Sequence, residues 1–177
     1  MDNFTQTHPQ PSVTSVALKY GLITALVSIV YTLIIMMLDM GDNRWLSGLS
    51  FIIMIAGIVL AMKEFRALNN GFMSYGQGLG IGTLVSAISG LLSGIFMWIY
   101  TSFVDTEYMN RMREKQTEAL LDQGMSDEQI DAAMSMSESF QGPIAMILGG
   151  LIGAIVIGFL LSLILSAIMK RNRPEFE

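Results

Sequence analysis

Residues 143–169 read PIAMILGGLIGAIVIGFLLSLILSAIM, an unbroken run without one ionisable side chain. About 20 apolar residues carry a helix across the roughly 30 Å hydrocarbon core of a bilayer. In lipid only a helix or a closed barrel satisfies its own backbone hydrogen bonds. Working outward, three more stretches repeat the pattern: Leu79–Val104, Trp45–Met62 and Gly21–Leu38 are equally free of charge. Together the four take up just over half of the 177 residues. The fold class that follows is all-α: an integral membrane four-helix bundle, with spans at about residues 17–38, 45–62, 76–104 and 143–169.

What remains is too short for a second core, so one membrane domain over residues 16–171 is expected, between a disordered tail at 1–15 and a tail at 172–177. The N-terminal segment carries Asp2, His8 and Pro9 but neither Lys nor Arg, so it lacks the basic region of a cleaved signal. There is no Cys, which excludes disulfides and thiol chemistry, and His8 is the only histidine. A histidine-based metal site or a Ser-His-Asp triad within one chain is therefore unavailable. No cofactor and no metal is expected, and no enzymatic activity.

Four spans put both termini on one side. That side holds Lys19, Lys63, Arg66, Lys170, Arg171 and Arg173 against four acids, net +2. The other holds Arg44, Arg111, Arg113 and Lys115 against eleven acids, net −7. Basic residues close to span ends mark the cytoplasmic face, so both termini are expected inside. Trp45, Trp98 and Tyr100 are expected at the opposite interface, where amphipathic rings prefer to sit. Lys63, Arg66, Tyr75, Gln77, Lys170 and Arg171 are the candidate contacts to lipid headgroups at the inner boundary. Gln77 reads equally well as a helix-capping residue.

Spans one and two are joined by a short turn containing Gly41, Asp42 and Asn43. Between spans three and four, residues 105–142 form the one sizeable polar segment, read as a hairpin of two short helices. The first covers about Glu107–Gln123 and ends at Gly124, with Glu107 and Arg111 in favourable i, i+4 order. The second starts at Ser126-Asp127-Glu128-Gln129, a capping box flanked by Met125 and Ile130 as a staple. The hairpin either lies on the membrane surface or offers an acidic platform to a partner outside it.

Inside the spans the strongest pattern has a period of four. Gly78, Gly82, Ser86, Gly90 and Gly94 form one row, and Gly150, Ala154, Gly158, Ser162 and Ser166 form another. Residues four apart share a helix face, so each row is a groove that lets a second backbone approach closely. Two uses stand open: packing spans three and four against each other, or an oligomerisation seam. No Asp, Glu, Lys, Arg or His lies in a span, which argues against a proton-coupled pump. The span hydroxyls either line a pore or bond to backbone. The glycines of residues 76–82 follow no strand and precede no Lys-Ser or Lys-Thr, so they carry no nucleotide reading. The fifteen methionines read as apolar filler.

Lys63-Glu64-Phe65-Arg66, then Gly71-Phe72-Met73-Ser74-Tyr75-Gly76-Gln77-Gly78, a Gly/Ser-rich third span, Asp105-x-Glu107-Tyr108 and Gly124-Met125-Ser126-x-Glu128-Gln129-Ile130 occur in that order. This order resembles a bacterial four-span family, domain of unknown function 4199, from about Ser15 to Arg171. Where the family often has Asp-Pro after span three, Thr106 follows Asp105 here. The resemblance implies architecture and an inner-membrane location, and it brings no catalytic residue or cofactor with it. The function expected is that of a structural or accessory membrane subunit. Its partners would be membrane lipid and either a second copy of the chain or an envelope protein, with no nucleic acid. The alternative is a homo-oligomeric channel or carrier for a small uncharged solute.

Overall fold

The computed structural model describes residues 11–38, 40, 43–138 and 142–172. Most of the expected N-terminal tail, the turn residues Gly41 and Asp42, the close of the hairpin at 139–141, and Arg173 with the C-terminal tail lie outside these residues. Each charge-free stretch is one helix. The four are α1 (Val13–Met37), α2 (Arg44–Leu68), α3 (Tyr75–Ile99) and α6 (Pro143–Met169), and the hairpin supplies α4 (Tyr108–Asp122) and α5 (Asp127–Glu138). Among the described residues there is no strand beyond one isolated bridge. All four long helices are apolar enough to cross a membrane.

The helices overrun the apolar stretches because their ends are capped by side chains. Ser12 accepts a hydrogen bond from the Ser15 amide, so α1 begins at Val13 and residues 13–15, expected in the tail, are helical. Six residues beyond Met62, α2 stops at a left-handed turn. Asn70 has φ 54°, Gly71 has φ 85°, and the Gly71 amide reaches back to the Arg66 carbonyl at 2.7 Å. That long backward bond is the signature of a Schellman cap, where Asn and Gly tolerate positive φ. Pro143 opens α6 at its first position, where its missing N–H costs nothing. The last turn of the third span, Tyr100–Val104, is wound as a π-helix closed by the Asp105 amide on the Tyr100 carbonyl at 2.9 Å.

In cross-section α3 is the central helix. It packs along α6 on one side and against α1 and α2 on the other, while α6 touches α2 lightly. Burial concentrates at the end where α1 begins and α6 ends. There Val16 and Ala17 meet Ile58, Ala61, Met62 and Phe65 of α2, with Met73, Ile81, Val85 and the partly buried Leu161, Leu165 and Met169. Toward the hairpin the helices are more open, with an apolar groove between α1 and α3 lined by Leu22, Leu26, Leu92, Ile95 and Ile99. The chain is thus an all-α, multi-pass integral membrane bundle carrying a helical hairpin between its third and fourth spans.

Candidate functional site

The two small-residue rows face each other. Gly78 stands opposite Ser166, Gly82 opposite Ser162, Ser86 opposite Gly158, and Gly90 opposite Ala154 and Gly150. This is an antiparallel register in which each step of four along α3 is matched by one of four along α6. A Cβ on Gly94 would lie 2.9 Å from the Ile147 Cα, and one on Gly150 would lie 3.0 Å from the Gly90 carbonyl oxygen. The backbones are therefore in direct contact, as helices in lipid require when no hydrophobic drive holds them. Ser86, Ser162 and Ser166 are completely buried, and Ser162 donates to the Gly158 carbonyl of its own helix. The same device recurs once between α1 and α2, where the Thr24 hydroxyl occupies the space a Cβ on Gly57 would fill.

At the basic end, the segment joining α2 to α3 is built from side-chain and backbone bonds. The Asn69 amide donates to the Phe72 carbonyl at 2.9 Å. Met73 is fully buried, and its N–H and C=O exchange two 2.9 Å bonds with the C=O and N–H of Arg171. Ser74 and Gln77 form a reciprocal capping box: the Ser74 amide donates to Gln77 at 2.8 Å and the Gln77 amide to Ser74 Oγ at 3.2 Å. The Arg171 guanidinium lies over the Phe72 ring at 6.0 Å from its centroid. These pieces enclose a cleft of about 370 Å³ lined by Asn69, Phe72, Met73, Ser74, Gln77, Arg171 and Asn172.

Beside this cleft on the same end, Glu64 gathers two partners from α1. Lys19 Nζ lies 2.8 and 2.9 Å from its two oxygens, and the Tyr20 hydroxyl donates to it at 2.7 Å. This ties the start of α1 to the end of α2. Lys63, Lys170 and Tyr75 are exposed, and Arg66 is half-buried. The Arg66 Nε is buried without a hydrogen-bond partner. Of the six candidate headgroup contacts, the structure brings Gln77 and Arg171 together in the cleft and leaves Lys63, Tyr75 and Lys170 exposed outside its lining.

At the other end, the hairpin is rooted by a few contacts. Tyr108 packs edge-on against Tyr100 at 6.3 Å, and the Arg111 guanidinium grips both Asp105 oxygens. Arg111 holds the Asp105 carboxyl below its ordinary range, first through these hydrogen bonds. Tyr100, expected at the membrane interface, is buried by this packing, whereas Trp45 is almost fully exposed. Arg111, expected to pair with Glu107, pairs with Asp105, and Glu107 accepts from Asn110 at 3.0 Å. Gly124 has φ 77° just past α4, and the Ser126 amide donates to Gln129 at 3.0 Å, as half of a capping box. Beyond its root α4 buries no residue, and it packs chiefly on α5.

The cleft contains residues that the sequence reading passed over, namely Asn69, Phe72, Met73, Ser74 and Asn172. Two local signals were available for it: Asn69-Asn70-Gly71 as a helix stop, and Ser74-x-x-Gln77 as a capping box. The Lys19–Glu64 contact, between residues 45 apart, had no local signal. Among the described residues no group of His, Cys, Asp and Glu is placed to hold a metal ion.

No curated protein and no solved structure matches the chain. A family described as protein of unknown function (DUF4199) matches residues 19–171, from the lysine that clasps Glu64 to the arginine bridged to Met73. The chain belongs to that family.

Proposed function

We propose that this protein is a non-enzymatic accessory subunit of the bacterial inner membrane, with both termini cytoplasmic, and that it presents its α4–α5 hairpin to another component of the envelope. The observation that carries this reading is the hairpin itself. It is fixed at its base by Tyr108 and Arg111, packs chiefly on itself, and leaves Glu114, Glu118, Asp122, Asp127, Glu128 and Asp131 in solvent. Exposed Met112, Leu121 and Met136 stand among those acids. Apolar anchors within a polar surround are what a partner interface uses.

The use made of the span hydroxyls favours this reading over the channel. Ser86, Ser162 and Ser166 are enclosed between α3 and α6, and Thr83 and Thr101 donate to carbonyls of their own helix. A pore lining would have to come from other hydroxyls, such as the exposed Ser50. Native mass spectrometry of gently extracted, tagged protein tests the proposal. A stoichiometric foreign subunit that is lost when 105–142 are replaced by a short linker is the expected result. A closed homo-oligomer, or a partner retained without the hairpin, overturns it.

A further inference from the structure

We infer that the cleft at the basic end holds the phosphate of an anionic phospholipid. Its lining supplies donors: the Arg171 guanidinium, the side-chain amides of Gln77 and Asn172, and the Ser74 hydroxyl. Among the described residues no carboxylate lines it. Arg171 is held in place by its main chain, which bridges Met73, and by a cation–π contact of its guanidinium with the Phe72 ring, which leaves its N–H fork available. Glu64 at this end is already paired with Lys19, and Asp105 at the other end with Arg111. Lys63, Arg66, Lys170 and Arg171 take part in neither, and they give this end an unbalanced positive field. A planar guanidinium fork matches two oxygens of a phosphate, and the neighbouring amides complete its hydrogen bonding.

The cleft lies where α2 and α6 end and α3 begins, which is the depth of lipid headgroups for helices that cross the bilayer. Anionic lipids concentrate at such basic, juxtamembrane surfaces. A lipid phosphate and a free phosphate share the same recognition chemistry. The position at the span ends selects the lipid, whose chains would run down the helices below.

The test uses the full chain in detergent micelles. It is exposed to equal amounts of phosphatidylglycerol and phosphatidylcholine, and the retained lipid is counted by native mass spectrometry. The expected result is one phosphatidylglycerol per chain, preferred about tenfold, with the preference abolished in Arg171→Gln and partly kept in Arg171→Lys. Lys63→Gln, at an exposed lysine outside the lining, lowers retention by at most about twofold. Gln77→Glu gives a second route that spares the fold, because Glu also closes a capping box. It places a negative charge in the cleft and is expected to expel the lipid while the thermal midpoint holds. Equal retention of both lipids by the native chain, or unchanged preference in Arg171→Gln and Gln77→Glu, overturns the inference. Displacement of the lipid by millimolar inorganic phosphate overturns the lipid assignment in favour of a soluble anion.

Discussion

Four hydroxyls buried between helices sit opposite a glycine: Thr24 against Gly57, Ser86 against Gly158, Ser162 against Gly82, Ser166 against Gly78. The hydroxyl takes the volume of the missing side chain, and its oxygen lies close to the glycine Cα of the neighbouring helix. Contact dispersion and weak Cα–H···O bonds then replace the hydrophobic drive that lipid does not supply. Glycines of α3 and α6 divide sharply on this test. A Cβ on Gly90 of α3 would lie 2.6 Å from the Gly150 carbonyl oxygen, a backbone atom that cannot swing aside, whereas Cβ atoms on Gly149 and Gly153 of α6 would meet nothing within 4 Å. Gly90→Leu is therefore expected to abolish recovery of folded protein, since overpacking a tight contact costs about 1–3 kcal/mol and more against backbone. Gly149→Leu is expected to leave the monomer as stable as the native chain. Fluorescence-detected size exclusion after a heat ramp reads both. Equal loss in the two variants would show that glycine is needed there for something other than the α3–α6 contact.

At the scale of the element, the α2–α3 connection is a latch. The Schellman turn at Asn70-Gly71, the Met73–Arg171 bridge and the Ser74–Gln77 capping box occupy consecutive positions, so the α2–α3 connection also fastens the end of α6. Met73→Ala opens a cavity in the centre of the core and is expected to cost about 2–5 kcal/mol. Gln77→Ala removes one arm of a cap, at about 1 kcal/mol. Thermal unfolding in one detergent ranks the two, and a smaller loss for Met73→Ala than for Gln77→Ala would contradict the latch. At the hairpin root the prediction is one of pH. The Asp105 carboxyl is held below its ordinary value of 3.8 by Arg111, so the unfolded group binds protons more readily than the folded one. The stabilisation is then complete above the ordinary value and is lost as pH falls through the lowered one. Amide-exchange protection at the start of α4 should be flat from about pH 8 to about pH 5 and fall only in stronger acid. Asp105→Asn should remove that step.

These elements also mark how far the sequence could be read. The spans were legible because charge is absent from them, and the α3–α6 seam because ten small residues keep one period. The α4 stop at Gly124 was legible from a single residue whose φ must be positive. The cleft was legible only in pieces, Gln77 and Arg171 as separate boundary residues, because the loop and the residues just past α6 are joined by main-chain bonds that leave no trace in side-chain type. Gly21 against Ile88 and Gly57 against Thr24 were hidden for a related reason, each being one contact without a repeat.

On the scale of the molecule, the bundle is unequal along its length. Its core and its latch lie at the basic end, and its hairpin stands at the other, reached through one π-helical turn and two pinning contacts. Fold and hairpin are therefore separable. Replacing residues 105–142 with a short flexible linker removes neither row of the α3–α6 seam, the Lys19–Glu64 clasp nor the Met73–Arg171 bridge. The short loop then holds α3 and α6 in the antiparallel order they already have, and closing a shorter loop costs less entropy. The shortened chain is expected to insert, to elute as the native monomer does, and to unfold within a few degrees of it, while losing any protein that copurifies through the hairpin. Failure to recover folded protein would place the hairpin among the elements that hold the spans together. The acidic face would then be a structural lid on the bundle and not an arm extended from it.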